Sequence, residues 1–241
     1  MDLLFDVGNT RLKWVLMDED GEIHARGAEL DFEPPGLPTG QSLSRIAIAA
    51  VSDGPALATL LDWADTVLPG KVTRLVTPSS LDGLRIAYQE PARLGVDRWL
   101  AMLGAWQRSR AGFVVVDCGT AVTIDLVDDA GQHLGGAILP GIDLMVESLI
   151  NRASGIRPKP EDFPPGFPAR DTGSAVTTGA RLAVRGAIRE ALAAAVAHTV
   201  PRVVMTGGAA PELAADLSDL RPELDDDLVF QGMRGMLACS D

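Results

Sequence analysis

An α/β fold made of two related halves, with a ligand held between them, is what this sequence predicts, and three observations lead to it. The first is the opening stretch Met1-Asp-Leu-Leu-Phe-Asp-Val-Gly-Asn-Thr-Arg-Leu-Lys13. Its apolar run stops at Asp6, turns through Gly8-Asn9-Thr10 and resumes at Trp14-Val15-Leu16, ahead of the turn Asp18-Glu19-Asp20-Gly21. The second is Val114-Val-Val-Asp117-Cys-Gly119-Thr120, which repeats that order and continues through Val122 to Val127 into Asp128-Asp129-Ala130-Gly131. Each reads as strand, tight polar turn, returning strand and acidic turn. Two ordinary hairpins would share the strands, but the matching turns favour an internal duplication. The third is an apolar run, a helical pattern and another apolar run between Arg45 and Val76, the signature of a right-handed parallel unit.

The first hairpin suits a triphosphate. Gly8 lets the backbone approach an anion with no side chain in the way. Thr10 and Lys13 donate to phosphate oxygens, whereas Asp6 only accepts and is better suited to holding hydrated magnesium.

Along the first half, Glu22 to Leu30 supplies a third strand, and Asp31 to Gly40, with Pro34, Pro35 and Pro38, reads as a surface loop. Arg45 to Val51 is a buried strand, and Ser52-Asp53 are expected to cap a helix with Pro55 in its first turn and Leu57, Leu60, Leu61 and Ala64 on its inner face. Val72 to Val76 is the next strand. Pro91 and Gly95 mark a loop, and Asp97 opens a helix through Met102, Leu103 and Trp106. A carboxylate in a first helical turn complements the helix dipole. Asp97 beside Arg98, after a loop carrying Tyr88 and Arg93, equally fits a base next to a cationic clamp, and the spacing does not decide between the two.

The second half is expected to span 112–241, after a first domain of 1–111. Its hairpin leads to a strand, Leu134 to Pro140, and a helix from about Asp143 to Asn151. Residues 155–170 hold Pro158, Pro160, Pro164, Pro165 and Pro168 and read as a long ordered loop or flap. Asp171-Thr172-Gly173-Ser174 can cap a long Ala-rich helix to about His198, which makes Thr172 either a helix-start residue or a hydroxyl at the mouth of a site. Arg202 to Thr206 runs into Gly207-Gly208, either a nucleotide site at a strand's carboxyl end or a plain strand-to-helix turn. Asp225 to Phe230 reads as a last short strand, and Gln231 onward as a weak final helix.

Bulk composition narrows the function. With 241 residues, 46% hydrophobic and 22% charged, the chain can bury a substantial core. A net charge of −12 argues against nonspecific contact with nucleic acid or anionic membrane. Cys118 and Cys239 form neither a metal spacing nor a disulfide framework, and no apolar leader or membrane-length segment is evident, so a soluble, cytoplasmic protein is expected. Neither the P-loop nor the Gly-x-Gly-x-x-Gly fingerprint occurs. His24, His133 and His198 are far apart and read as surface or satisfied histidines, and Cys118 as a small buried side chain. The remaining elements, a duplicated Asp/Gly/Thr cradle and a Thr-Gly-Gly turn, describe phosphoryl transfer.

Two Asp-x-Gly hairpins and a late Gly-Gly turn resemble the superfamily of acetate and sugar kinases, Hsp70 and actin. Within it the sequence closely resembles the type III pantothenate kinases, through Asp6-Val-Gly-Asn-Thr-Arg-Leu-Lys13, Gly95-Val-Asp-Arg98, Asp117-Cys-Gly-Thr-Ala-Val-Thr-Ile-Asp125, Gly135-Gly-Ala-Ile-Leu-Pro-Gly141 and Thr206-Gly-Gly208. The resemblance implies duplicated ribonuclease-H-like (actin-like ATPase) domains with the active site in the cleft between them. It implies that Asp6, Val7, Gly8, Asn9, Thr10, Arg11, Leu12, Lys13 and Thr120 bind ATP, taken up with Mg2+, and that Asp117 binds a monovalent cation, K+ or NH4+. Tyr88, Gly95, Val96, Asp97, Arg98 and Thr172 would hold pantothenate, with Asp97 as general base. It further implies a homodimer whose partner subunit helps close the pantothenate site, with the helix of Trp99, Met102, Leu103 and Trp106 contributing to the interface. Val96 stands where the family usually has alanine, and Asp171 where it commonly has asparagine. Competing expectations are another small-molecule kinase of the superfamily and a nonenzymatic regulator of gene expression, which the negative charge disfavours.

Overall fold

The structure is a computed structural model that describes residues 1–30, 42–157, 166–197 and 202–239. In chain order its first elements are β1 (Asp2–Val7), β2 (Leu12–Met17), β3 (Ile23–Glu29), β4 (Arg45–Ala50), α1 (Pro55–Val67), β5 (Val72–Leu75), β6 (Ser80–Leu81), β7 (Leu84–Arg85) and α2 (Val96–Ser109). Then follow β8 (Phe113–Cys118), β9 (Ala121–Val127), β10 (His133–Pro140), α3 (Ile142–Arg152), α4 (Thr172–Ala195), β11 (Arg202–Thr206), α5 (Ala210–Asp216), β12 (Glu223–Leu224) and α6 (Leu228–Ala238). These fall into two compact units, Met1–Arg110 with Asp227–Asp241, and Ala111–Asp226.

The first unit is built on a five-stranded sheet of order β3-β2-β1-β4-β5. Strands β1, β2 and β3 form an antiparallel meander, and β4 and β5 add in parallel. The apolar runs Leu3 to Phe5 of β1 and Ile46 to Ala50 of β4 follow from burial on both faces. Leu3, Phe5, Leu16, Ile46 and Ile48 pack with Leu57, Leu60 and Ala64 of α1, while α2 and α6 lie on β4 and β1. Pro55 starts α1 at a position where its missing N–H is no loss. The cap residue is Gly54 rather than Ser52 or Asp53, and Asp53 instead pairs with Arg74 at 2.7 Å.

The second unit repeats the plan, with sheet order β10-β9-β8-β11-β12. The β8–β9–β10 meander is antiparallel and β11 and β12 are parallel additions. Equivalence extends to single hydrogen bonds. Gly8 N–H donates to Arg11 O at 3.0 Å, as Gly119 N–H does to Ala121 O at 3.1 Å. Asp18 N–H donates to Glu22 O and Gly21 N–H to Asp18 O, as Asp128 N–H does to Gln132 O and Gly131 N–H to Asp128 O. Even the side chains agree, with Asp18 Oδ1 accepting from Glu22 N–H and Asp128 Oδ1 from Gln132 N–H. One loop differs: four residues, 8–11, lie between the last paired positions Val7 and Leu12, whereas three, 119–121, lie between Cys118 and Val122. The two halves share the duplicated ribonuclease-H-like architecture.

Several expectations need correction. The last helix is not part of the second domain assigned to 112–241: α6 belongs to the first unit, where it packs along α2. Nor is Asp225 to Phe230 a strand. From this part of the described chain Glu223–Leu224 pair with β11, and Leu228, Val229, Phe230, Gly232, Met233 and Leu237 of α6 are buried. The helix is anything but weak, because Gly104 and Gly232 let the two backbones touch. A Cβ on Gly232 would stand 2.0 Å from Leu100 O, and one on Gly104 would stand 2.4 Å from Leu228 O. The side chains of α2 expected at a subunit interface are taken up inside the first unit: Trp99, Met102 and Leu103 are wholly buried and Trp106 nearly so. The proline-rich segments 31–41 and 158–165 and His198 lie outside the described residues, and α4 ends at Ala195. None of the described helices is long and apolar enough to cross a membrane.

Gly232→Ala is expected to destabilise the first unit by about 1–3 kcal/mol, the usual penalty of an overpacked contact. Urea unfolding measures it, and an unchanged midpoint would mean that α2 and α6 do not approach this closely.

Candidate active site

The β1–β2 hairpin places Asp6 one residue before the end of β1, opposite Lys13 on β2. Val7 and Leu12 are buried and anchor the turn, while Gly8, Asn9, Thr10 and Arg11 are exposed and Asp6 and Lys13 half-buried. The apolar residues thus hold the hairpin and the polar ones face outward, as an anion cradle requires. An acceptor-only carboxylate beside a turn of donors also suits a hydrated divalent ion at Asp6.

In the same unit, the chain from Tyr88 to Arg98 is shaped by local bonds. Leu94 N–H donates to Pro91 O at 3.0 Å, and Thr77 Oγ1 donates to Leu94 O at 2.8 Å. Gly95 is the N-cap of α2 and accepts from Trp99 N–H at 3.1 Å. Asp97 stands in the first turn, half-buried, with Oδ1 accepting from Arg98 N–H at 2.8 Å. Arg98 is only 5% exposed, and its guanidinium donates to Tyr88 Oη at 3.2 Å with its carbon 5.9 Å from the ring centroid. Asp97 thus complements the helix terminus, and the residue that follows it is a buried cation that cannot lose its proton. Val96 is buried and orients this turn.

In the second unit, Asp117 sits one residue before the end of β8, opposite Thr206 of β11. Ala209 N–H donates to Cys118 O at 3.0 Å, which folds the Thr206-Gly207-Gly208 turn over the strand end. A Cβ on Gly207 would stand 2.5 Å from Asp117 Oδ1 and 2.7 Å from Cys118 O, and its φ of +92° suits glycine. Thr120 is exposed, and its carbonyl accepts from Gly141 N–H at 2.9 Å, tying the hairpin turn to the start of α3. Carboxylate and carbonyl oxygens together are the donor type that a hard monovalent cation takes.

Thr172 is the first residue of α4, and Asp171 is its cap. Asp171 Oδ1 accepts from Ser174 N–H at 2.7 Å and Oδ2 from Ser174 Oγ at 2.6 Å. These bonds, the Ser174 hydroxyl first, hold the Asp171 carboxyl below its ordinary range, so its charge is taken up by the helix terminus. Thr172 lines a groove of about 820 Å³ with Leu144, Met145, Leu149, Ile156 and Val176. The cap that the Asp171-Thr172-Gly173-Ser174 sequence predicts is formed, with Ser174 giving Asp171 both its backbone and its hydroxyl donor.

The other flagged residues are satisfied. His24 pairs with Asp18 at 2.7 Å, and His133 with Asp125 at 3.0 Å in full burial. Cys118 is 1% exposed, and burial, reinforced by Asp117, pushes its thiol up to about 12, which excludes a reactive thiolate.

Asp171 makes a pH-dependent contribution. Its depressed carboxyl stabilises α4 fully above the unfolded value of 3.8, and that stability is lost as the pH falls through the lower folded value. Asp171→Ala is expected to lower the melting temperature at neutral pH, with the gap to wild type closing below pH 3.8. Asp171→Asn retains most of the stability, because the amide oxygen still accepts from Ser174. A gap independent of pH would remove the charge from the cap.

Residues 2–194 match the family model described as type III pantothenate kinase. The chain is 36% identical over 249 residues to the type III pantothenate kinase of Azoarcus sp. (strain BH72), covering all of this chain and 92% of the relative. It is 36% identical over 217 residues to that of Marinobacter nauticus, covering 89% and 90%. Among solved structures, a conserved putative Baf family transcriptional activator from Campylobacter jejuni superposes with a TM-score of 0.65 at 23% identity, covering 98% of this chain and 97% of that one. A ROK family glucokinase from Streptomyces griseus, in complex with glucose and AMPPNP, superposes with a TM-score of 0.55 at 13% identity over 99% and 98%. At these identities the structures speak for the fold alone. Full-length identity above a third and the family match together assign the chain: it belongs to the type III pantothenate kinase family.

Proposed function

We propose that this protein is a pantothenate kinase, which transfers the γ-phosphoryl group of ATP to the primary hydroxyl of pantothenate and forms 4'-phosphopantothenate, the first step of coenzyme A biosynthesis. The observation that carries this reading is the Gly95-Val-Asp-Arg98 turn. There a half-buried carboxylate in the first turn of α2 accepts from the Arg98 backbone N–H, and the guanidinium of buried Arg98 is bonded to Tyr88.

Asp97 is the general base. The substrate hydroxyl oxygen attacks the γ-phosphorus, the bond to the β,γ-bridging oxygen breaks, ADP leaves, and the hydroxyl proton passes to Asp97. An alcohol is too weak an acid to ionise first, and the transition state is loose, so the carboxylate orients the hydroxyl and takes the proton late. Tyr88, Gly95, Val96, Arg98 and Thr172 hold pantothenate. The hairpin of Asp6 to Lys13, with Thr120, holds the ATP phosphates, Thr10 and Lys13 donating to them. Magnesium near Asp6 and a monovalent cation, K+ or NH4+, at Asp117 supply positive charge that neutralises the phosphates. ATP and magnesium are cytoplasmic supplies, and the enzyme works there.

The active form is a homodimer. Support comes from the second unit, where α3 buries none of its residues and Leu144 and Leu149 are each 43% exposed along the groove that Thr172 lines. A second copy covering this apolar face would bring the partner subunit against Thr172, which accords with a substrate site closed by the partner.

Asp97→Asn is expected to keep ATP binding and lose about 10²–10⁴-fold in turnover, measured as ADP release with magnesium-ATP and pantothenate. Wild-type turnover should need potassium or ammonium; indifference to both would remove the cation from Asp117. Leu149→Glu is expected to yield monomers by sedimentation and to raise the pantothenate KM more than the ATP KM. A dimer retained by that variant would place the interface elsewhere.

A further inference from the structure

Gly95 is a glycine without a backbone reason. Its φ of −52° and ψ of 135° are open to any residue, and as the N-cap of α2 it stands where Ser, Thr, Asp or Asn would add a side-chain cap that the helix lacks. It makes no left-handed turn, and at this site no neighbouring backbone presses on it: the atoms that a Cβ would meet are Asp97 Oδ1 at 2.5 Å and Asp97 Cγ at 3.6 Å. The same Oδ1 accepts from Arg98 N–H at 2.8 Å. One carboxylate oxygen is therefore seated between a backbone donor and the bare Cα of Gly95.

From this seat, and resting on Asp97 as the base of the kinase reading, we propose that Gly95 is a positioning residue: its missing side chain leaves the space that the Asp97 carboxylate occupies, and so sets the angle at which the base meets the substrate hydroxyl. A Cβ at 95 and Oδ1 at its present place exclude each other, because real Cβ contacts do not fall to 2.5 Å. The conflict is resolved at low cost to the fold, since the atom that must move is the end of a rotatable side chain. It is resolved at high cost to catalysis, since that atom belongs to the base, and displacements near 1 Å are worth about 100-fold in rate. Arg98 N–H loses its acceptor when the carboxylate swings away, which adds to the loss of order in the turn.

The test is Gly95→Ala, alone and combined with Asp97→Asn. Gly95→Ala is expected to melt within about 3 °C of wild type, to keep its ATP KM, and to lose about 10–100-fold in pantothenate-dependent kcat. The double variant should be no slower than Asp97→Asn alone, because both changes act on one carboxylate. Full activity in Gly95→Ala beside an impaired Asp97→Asn overturns the proposal, as do losses that multiply in the double variant. A crystal structure of Gly95→Ala needs no substrate and separates this inference from the functional reading. Asp97 Oδ1 is expected to have left Arg98 N–H, and an unmoved carboxylate overturns the seat whatever the wild type phosphorylates. Absence of wild-type turnover on pantothenate overturns the kinase reading, and with it the catalytic meaning of the seat.

Discussion

Each unit depends on one strand that is hydrogen-bonded along both edges. β1 lies between antiparallel β2 and parallel β4, and β8 between antiparallel β9 and parallel β11. Such a strand has its faces and edges closed, so its sequence must be apolar until it emerges. The end of the strand is the first place where a charge costs little, and there stand Asp6 and Asp117, each one residue from the end and each half-buried. A carboxylate there is held by the most rigid part of the sheet and still reaches solvent. The two hairpin turns, the Thr-Gly-Gly turn and their anchoring bonds all follow from where those strands stop.

A second constraint acts through side chains that are missing. Gly207 leaves room for Asp117 and Cys118 O, Gly95 for Asp97, and Gly141 for the carbonyls of Gly119 and Thr120. In each case the glycine sits beside an oxygen of the candidate site. Gly104 and Gly232 do the same between α2 and α6, with consequences for stability rather than chemistry. A glycine in the Gly-x-Asp-Arg motif therefore need not mean a turn, and at position 95 its φ is ordinary.

Much of the fold was legible because its signals are local. Apolar runs ended by Asp-x-Gly marked the hairpins, Pro55 marked the start of α1, and Asp171 with Ser174 three residues on marked the cap of α4. Legibility failed where the deciding contact is distant in sequence. Leu228 to Leu237 reads as strand or weak helix by itself, and becomes a firm helix because α2 of the first unit receives it. Trp99, Met102 and Leu103 read as contributors to a subunit interface, and nothing near them in sequence announces the helix that covers them. The apolar face that does remain exposed, around Leu144 and Leu149, carried no comparable signal, because its helix has an ordinary amphipathic sequence.

By itself, the sequence determined the duplication, the strand ends that carry carboxylates and the Gly-x-Asp-Arg motif, because these rest on residue type and near neighbours along the chain. Only the tertiary structure decided that the last helix returns to the first unit, that Arg98 is buried against Tyr88, and that Gly95 is bare because Asp97 folds back over it. Those facts concern which atoms exclude one another in space, and exclusion is a property of packed coordinates that no pattern of residue types records.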